Sequence, residues 1–271
     1  QVKMFEIKLS QGAKPGKGGI LPGKKVNKEI AQIRNIPIYE DAISPNRHKD
    51  IANNEALLDK IHLIRNTTQK PVGIKFVLGD KHWLDELFNL IHKKGLDYAP
   101  DFITIDSADG GTGAAPQPLM DYVGLPLQVS LPVLINKLNE HKLRQRIYVI
   151  ASGKLVTPSK VAWALCMGAD AVNSARGFMF ALGCIQALQC NKNTCPTGIT
   201  THSKKLQRGL VVSKKSQRVA DYALNINKEI QIMAHSCGLQ EPRQFERKHC
   251  LEVMFDGQMK SLSELHDQRI I

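Results

Sequence analysis

Three cysteines stand close together, Cys184, Cys190 and Cys195, and Pro196 follows the last. Three thiolates on one short loop can ligate an iron–sulfur cluster, and a proline after the final cysteine recurs in such loops. Three protein ligands suit a three-iron cluster, or a four-iron cluster with one foreign ligand. Zinc held by these cysteines and His202 is a second reading, and unligated buried thiols are a third. Cys166, Cys237 and Cys250 have no near neighbours of their kind and read as core or surface thiols. Six cysteines in 271 residues are too sparse for a small disulfide-stapled scaffold. The clustered three point to a reducing compartment, so the expected localisation is cytoplasmic.

Lys75 lies inside the apolar run Gly73-Ile74-Lys75-Phe76-Val77. An ammonium there is costly unless it is paired or faces a ligand. The alternative is an edge-strand lysine snorkelling to water. Near the start comes Gln11-Gly12-Ala13-Lys14-Pro15-Gly16-Lys17-Gly18-Gly19-Ile20-Leu21-Pro22-Gly23, five glycines in thirteen residues. Such a loop lets the backbone approach a ligand, and Lys14 and Lys17 add charge for a carboxylate or phosphate. It is not a Walker A loop, because no Gly-Lys-Ser/Thr opens a helix. A plain glycine-rich surface loop is the alternative.

Two further stretches follow strand-like runs. Asp106-Ser107-Ala108-Asp109-Gly110-Gly111-Thr112-Gly113-Ala114-Ala115-Pro116 offers small residues that leave room for a planar ring or a phosphate. Ala151-Ser152-Gly153-Lys154 and Asn173-Ser174-Ala175-Arg176-Gly177 are separated by about one β/α repeat. Backbone N–H groups there would bind a phosphate, with Lys154 or Arg176 adding charge. Ordinary βα turns are the alternative for both.

The elements that must position these residues alternate. Strands are expected at Met4–Leu9, Pro71–Val77, Asp101–Ile105, Arg146–Ala151 and Asp170–Ser174, each rich in β-branched or aromatic residues and followed by turn formers. Helices are expected at Asn53–Arg65, Trp83–Lys94, Val133–Leu143, Ser159–Met167 and Gln217–His235. Thr157 and Pro158 suit the start of the fourth. The alternation predicts a parallel α/β sheet with crossover helices, and five strands alone do not decide between an open sheet and a closed barrel. Residues 10–44 read as one long functional loop.

Composition narrows the class. Hydrophobic residues make up 42% and charged residues 23%, a globular balance that excludes a mainly disordered or low-complexity chain. No apolar run reaches the roughly 18–20 residues of a membrane span. The net charge is +12, but the basic residues are dispersed and aromatics are only 6%, so no nucleic-acid partner is expected. The chain opens on Gln1 rather than Met, which suggests a start inside something longer or a trimmed end.

Together the glycine-rich loop, the Asp-Gly-Gly-Thr-Gly-Ala-Ala-Pro turn and the Cys-x5-Cys-x4-Cys-Pro-Thr-Gly run resemble the FMN-binding domain of the glutamate synthase family, from about Met4 to Leu239. The resemblance implies a (β/α)8 TIM barrel of which this chain holds mainly the later strands, the earlier ones lying before Gln1. The expected division is 1–240, a barrel portion with the cysteine loop 184–195, and 241–271, a tail packing on it. The implied cofactors are FMN and a 3Fe-4S cluster.

By position, the resemblance makes Cys184, Cys190 and Cys195 the cluster ligands and sets Lys75 at the pyrimidine edge of the flavin. It puts Gly153, Lys154, Ala175 and Arg176 around the FMN phosphate, with Asp106, Gly110, Gly111, Thr112, Ser152 and Gly177 in the same cofactor site. It makes Gln11, Lys14 and Arg34 binders of 2-oxoglutarate. Where the family typically has a glutamine that touches the substrate, this chain has Ile20, which implies an altered substrate site.

The implied activity is reduction of 2-iminoglutarate, formed from 2-oxoglutarate and ammonia, to L-glutamate. Electrons would come from a ferredoxin or a reductase subunit, and ammonia from solution or a separate amidotransferase subunit. The alternatives are an FMN oxidoreductase on another 2-oxo or amino acid, as in an N-methylglutamate-type synthase, and a non-catalytic electron-transfer module.

Overall fold

The computed structural model describes residues 1–14, 18–110 and 115–267. The chain enters through β1 (Phe5–Lys8), then forms a small antiparallel ribbon, β2 (Ile20–Leu21) with β3 (Ala42–Ile43), around helix α1 (Lys28–Arg34). It then alternates: α2 (Asn54–Thr68), β4 (Val72–Phe76), α3 (His82–Lys94), β5 (Phe102–Asp106), α4 (Gln117–Tyr122), α5 (Leu127–Glu140), β6 (Tyr148–Ser152), α6 (Pro158–Met167), β7 (Ala171–Asn173) and α7 (Ala175–Leu182). After the cysteine loop come α8 (Lys204–Gln207), the long α9 (Val212–Ser236), a hairpin of β8 (Leu251–Val253) and β9 (Met259–Ser261), and α10 (Leu262–His266).

The five strands expected from the sequence form one sheet in the order β1-β4-β5-β6-β7, with every neighbouring pair parallel. Parallel neighbours require crossovers, and the helices between them supply these. This is the arc of a partial (β/α)8 barrel. Strand alternation sorts the side chains. Val72, Ile74, Phe76, Ile103, Ile105, Val149 and Ala151 are buried toward the helices. Opposite α2's Leu57, Leu58 and Ile61, helix α3 contributes Leu84, Leu87, Phe88 and Ile91, all buried. Each such side chain stabilises by about 1.5–3 kcal/mol.

The other face, the inside of the arc, carries Lys8, Lys75, Thr104, Asp106 and Ser152, and register keeps them adjacent. Lys75 stands beside Lys8 and Thr104, and Asp106 beside Ser152. Tyr148 on this face is 64% exposed.

Residues 10–44 are not structureless, as the sequence suggested. Helix α1 is capped by Asn27, whose side chain accepts from the Ile30 N–H at 2.9 Å. The third predicted helix begins earlier, at Leu127, and carries Pro132 within it. The tail past 240 packs on α5 and α6: Leu262 is buried, and Arg247 donates to Asn136 Oδ1 at 2.8 Å. Among the described residues no helix is long and apolar enough to cross a membrane.

Candidate functional site

A cavity of about 300 Å³ lies beyond the C-terminal ends of the strands, where α/β folds place ligands. Each strand delivers part of its wall: Gln11 follows β1, Lys75 lies on β4, Asp106 ends β5 and Gly110 follows it, Ser152 ends β6 with Gly153 to Leu155 after it, and Asn173 ends β7 with Ala175 and Arg176 after it. Eleven expected site residues meet here: Gln11, Lys75, Asp106, Gly110, Ser152, Gly153, Lys154, Ala175, Arg176, Cys184 and Cys190. Gly111 and Thr112, also expected here, lie outside the described residues, as does Lys17.

Asp106 organises the middle of the wall. Its carboxylate accepts from the Gly12 N–H at 2.8 Å and from Ser152 Oγ at 2.8 Å, and it pairs with Lys75 Nζ at 3.4 Å. The half-buried lysine of β4 thus has its counter-charge and still faces the cavity, against the snorkelling alternative. At one end, Lys154 takes a left-handed backbone (φ 51°) and its ammonium pairs with Asp109 at 2.8 Å. Burial works against the Asp109 carboxylate, yet Lys154 and the Ser107 hydroxyl hold its pKa below the ordinary carboxylate range. Gly153 is left-handed too, and a Cβ there would lie 2.2 Å from Ser107 Cβ, so the backbone itself forms this wall.

The stretch Asn173–Gly177 is not a plain turn but the start of α7. Ser174, at the N-cap position, does not cap the helix. Its hydroxyl donates to the Leu155 carbonyl at 2.6 Å and sits 3.1 Å from Tyr222 OH. Ser174 thus leaves the start of α7 without a side-chain cap of its own, and this start lies where Ala175 and Arg176 line the cavity. A helix start of this kind, with Lys154 nearby, fits a phosphate. A backbone-walled cavity with a cation at one wall and a phosphate-type cradle at one end matches the demands of FMN. Gly177 does not line the cavity; it packs against Tyr222 of α9.

The cysteine loop closes the far side. Cys184 and Cys190 line the cavity; Cys195 does not. Cys184 Sγ accepts from the Gln186 N–H at 3.5 Å, and Cys195 Sγ lies 3.4 Å from Thr197 Oγ1. Burial raises the Cys195 thiol pKa, but hydrogen bonds from Thr197 and Thr200 outweigh it and bring it down to about 6. Among the described residues no three His, Cys, Asp or Glu side chains are gathered so as to hold a metal ion. The expected ligand set of Cys184, Cys190 and Cys195 is therefore not gathered as a metal centre among the described residues. His202 is exposed, and its backbone N–H donates to Asn193 Oδ1 at 2.9 Å, so the zinc reading gains no support. Lys25 reaches across from the ribbon and donates to the Cys190 carbonyl and, at 3.2 Å, to the Thr200 carbonyl.

A second cavity, sharing Gln11 with the first, is lined by Lys14. Arg34 is exposed in the last turn of α1 and lines neither cavity. Ile20 is 49% exposed in the ribbon and lines neither as well. Sequence reasoning missed Met179 and Phe180, the apolar wall supplied by α7, and Gln186 and Leu188 of the cysteine loop. The helical spacing of Phe178, Met179 and Leu182 was the signal available for α7.

The conserved region in glutamate synthase matches residues 1–240 of the chain. The chain is 44% identical over 268 residues to the glutamate synthase large subunit-like protein YerD of Bacillus subtilis (strain 168), across 99% of this chain and 50% of that protein. It is 37% identical over 218 residues to the archaeal-type glutamate synthase (NADPH) of Thermotoga neapolitana, across 80% of this chain and 42% of that one. With the ferredoxin-dependent glutamate synthase of Cyanidium caldarium the identity is 32% over 266 residues, 97% of this chain and 16% of that protein. The chain thus spans half or less of the length of these relatives. Among solved structures, the recombinant flavin-binding domain of baker's yeast flavocytochrome b2 aligns with all of this chain and 50% of that one, at a TM-score of 0.53 and 14% identity, a likeness of fold.

Proposed function

The chain belongs to the glutamate synthase family, and from that premise we propose that its cavity at the C-terminal ends of the strands holds FMN and serves the reduction of a 2-imino acid, 2-iminoglutarate to L-glutamate. The observation that carries this reading is the Lys75–Asp106 pair, a cation fixed in the wall of a cavity at the C-terminal ends of the strands. When bound, the flavin supplies hydride, and the protein positions and polarises.

The residues divide the work. Lys75 sits where a fixed positive charge offsets negative charge on the ring, and Asp106 keeps it from swinging away. The first turn of α7, Lys154 and Arg176 hold the phosphate. Gln11, on the wall shared by both cavities, and Lys14, in the second, hold the substrate. The imine carbon takes the hydride and its nitrogen a proton, which yields the amine. The electrons come from a ferredoxin or a reductase subunit, and ammonia from solution or an amidotransferase subunit. Cys184, Cys190 and Cys195 are the residue types of a 3Fe-4S centre, and the family supports that assignment. Their geometry does not, so no step here passes through such a centre.

The test uses the complete protein. It should bind FMN and show flavin absorbance, and Lys75→Met should weaken FMN binding. With the flavin reduced, 2-oxoglutarate and ammonia should give glutamate. A protein that binds no flavin would instead be the non-catalytic module, and product from methylamine but not ammonia would identify the N-methylglutamate-type reaction.

A further inference from the structure

The family match stops at residue 240, and the tail beyond it carries a hairpin whose amphipathic sense is reversed. Strand alternation gives β8 and β9 two faces. Register pairs Leu251 with Ser261 and Val253 with Met259 on one face, and Glu252 with Lys260 on the other. The face with Glu252 looks onto α6, where Trp163 Nε1 donates to Glu252 Oε1 at 3.3 Å. Leu251, Val253 and Met259 therefore point away from the body, each more than half exposed, and Phe255, two residues past Val253 in the turn, is fully exposed. A surface hairpin ordinarily turns its apolar row inward and its polar row to water. This one does the opposite, and a contiguous apolar patch with a polar rim marks an interaction site.

The rim and the size of the patch choose its occupant. At the tip stands Asp256, whose carboxylate accepts from the Gln258 N–H at 3.0 Å and enters no ion pair among the described residues. Just before the hairpin stands Lys248, exposed and paired with its near neighbour Glu246 at 2.8 Å. An acid at one end and a base at the other make the patch complementary to itself turned end for end, which is the condition of an isologous interface. The same carboxylate at the tip opposes an anionic bilayer. Covering the four apolar side chains removes on the order of 500 Å² from each copy and on the order of 1,000 Å² from a pair, the lower bound for a specific interface.

We propose that this hairpin is the seam of a homodimer. Two hairpins lie face to face and antiparallel about a two-fold axis. Phe255 of each copy packs on Leu251 and Val253 of the other, and Asp256 of each meets Lys248 of the other. β8 and β9 keep their own hydrogen bonds, so the seam is made by side chains and not by edge pairing. It stands apart from the imino-acid reading, since none of these residues lines either cavity.

The experiment is sedimentation velocity on the complete protein over a range of concentrations, with thermal melting to show that each variant folds. The wild type should be a dimer. Phe255→Asp should raise the dimer Kd by at least about a hundredfold without moving the melting of the monomer, because a residue central to a seam dominates its energy. Leu63→Asp, at an exposed apolar position on α2, should leave the dimer intact. Asp256→Lys and Lys248→Asp should each weaken it by about two- to thirtyfold, the range of two exposed ion pairs, and the two together should restore it. A wild type that is monomeric at about 100 μM overturns the seam, as does a dimer that survives Phe255→Asp or a charge swap that restores nothing. A monomer that floats with phosphatidylcholine vesicles, and loses this in Phe255→Asp, would give the face to a bilayer instead.

Discussion

Replacing Asp106 separates the work of its charge from the work of its shape. The carboxylate accepts from Gly12 N–H and Ser152 Oγ, each at 2.8 Å, and pairs with Lys75 at 3.4 Å, the two charged side chains being 14% and 19% exposed. Alanine removes all three contacts. Hydrogen bonds to a charged group are worth about 1.5–3 kcal/mol each, and partial exposure lets water replace some of this, so Asp106→Ala should cost about 3–4 kcal/mol. Asparagine keeps the outline. Its carbonyl oxygen can take Gly12 and Lys75 while its amide faces Ser152, whose hydroxyl turns to accept. Only the charge is lost, so Asp106→Asn should cost about 1–2 kcal/mol. Urea unfolding of the complete protein at pH 7, followed by tryptophan fluorescence, measures both. Adding Lys75→Met to Asp106→Ala should cost less than Lys75→Met alone, because the unpaired ammonium has gone. An alanine variant within about 1 kcal/mol of wild type, or an asparagine variant as damaged as alanine, would refute this account of the wall.

Two other outcomes follow from the same region. Gly177→Ala would place a Cβ 1.9 Å from Tyr222 OH, so despite the roughly 1 kcal/mol helix-propensity gain it should destabilise by about 1–3 kcal/mol. Tyr222→Phe in that background should recover part of the loss in urea titrations, although alone it forfeits the 2.8 Å bond to the Val156 carbonyl; a fully stable Gly177→Ala would contradict the packing. Asp109 is held below the ordinary carboxylate pKa by Lys154 and Ser107 against burial, so its contribution is present above about 3.9 and lost as pH falls through the folded value. The melting difference between wild type and Asp109→Asn should therefore be seen at pH 6 and vanish at the acid end, and a difference that grows on acidification would reverse the sign.

The strands were legible because each must bury one row of side chains against the helices, and β-branched residues mark that row. Val72, Ile74, Ile103, Ile105 and Val149 do this in three of them, and the observed ends fall within two residues of the expected ones. The first residues of α7 looked like a turn because Ser174 and Gly177 are turn formers. Their reason is tertiary: both meet Tyr222 of α9, far along the chain. Arg47 was illegible for a similar cause. A two-residue ribbon carries no periodicity, yet its Gly19–Ser44 pairing anchors the loop whose Arg47 lines the same cavity as Lys14. Residue type named the cysteines as a group, but it could not foresee that Cys184 and Cys190 would line the cavity while Cys195 meets Thr197 instead.

The ammonium of Lys25 belongs by sequence to the turn after β2, yet it grips two carbonyls of the cysteine loop, one before Cys195 and one after it. The two loops are thereby yoked. A displacement of the turn after the ribbon is passed to the thiol-bearing segment through these bonds, and a rearrangement of that segment is felt in the turn. Variants made on either side are best scored for both properties, since one tether transmits strain in each direction.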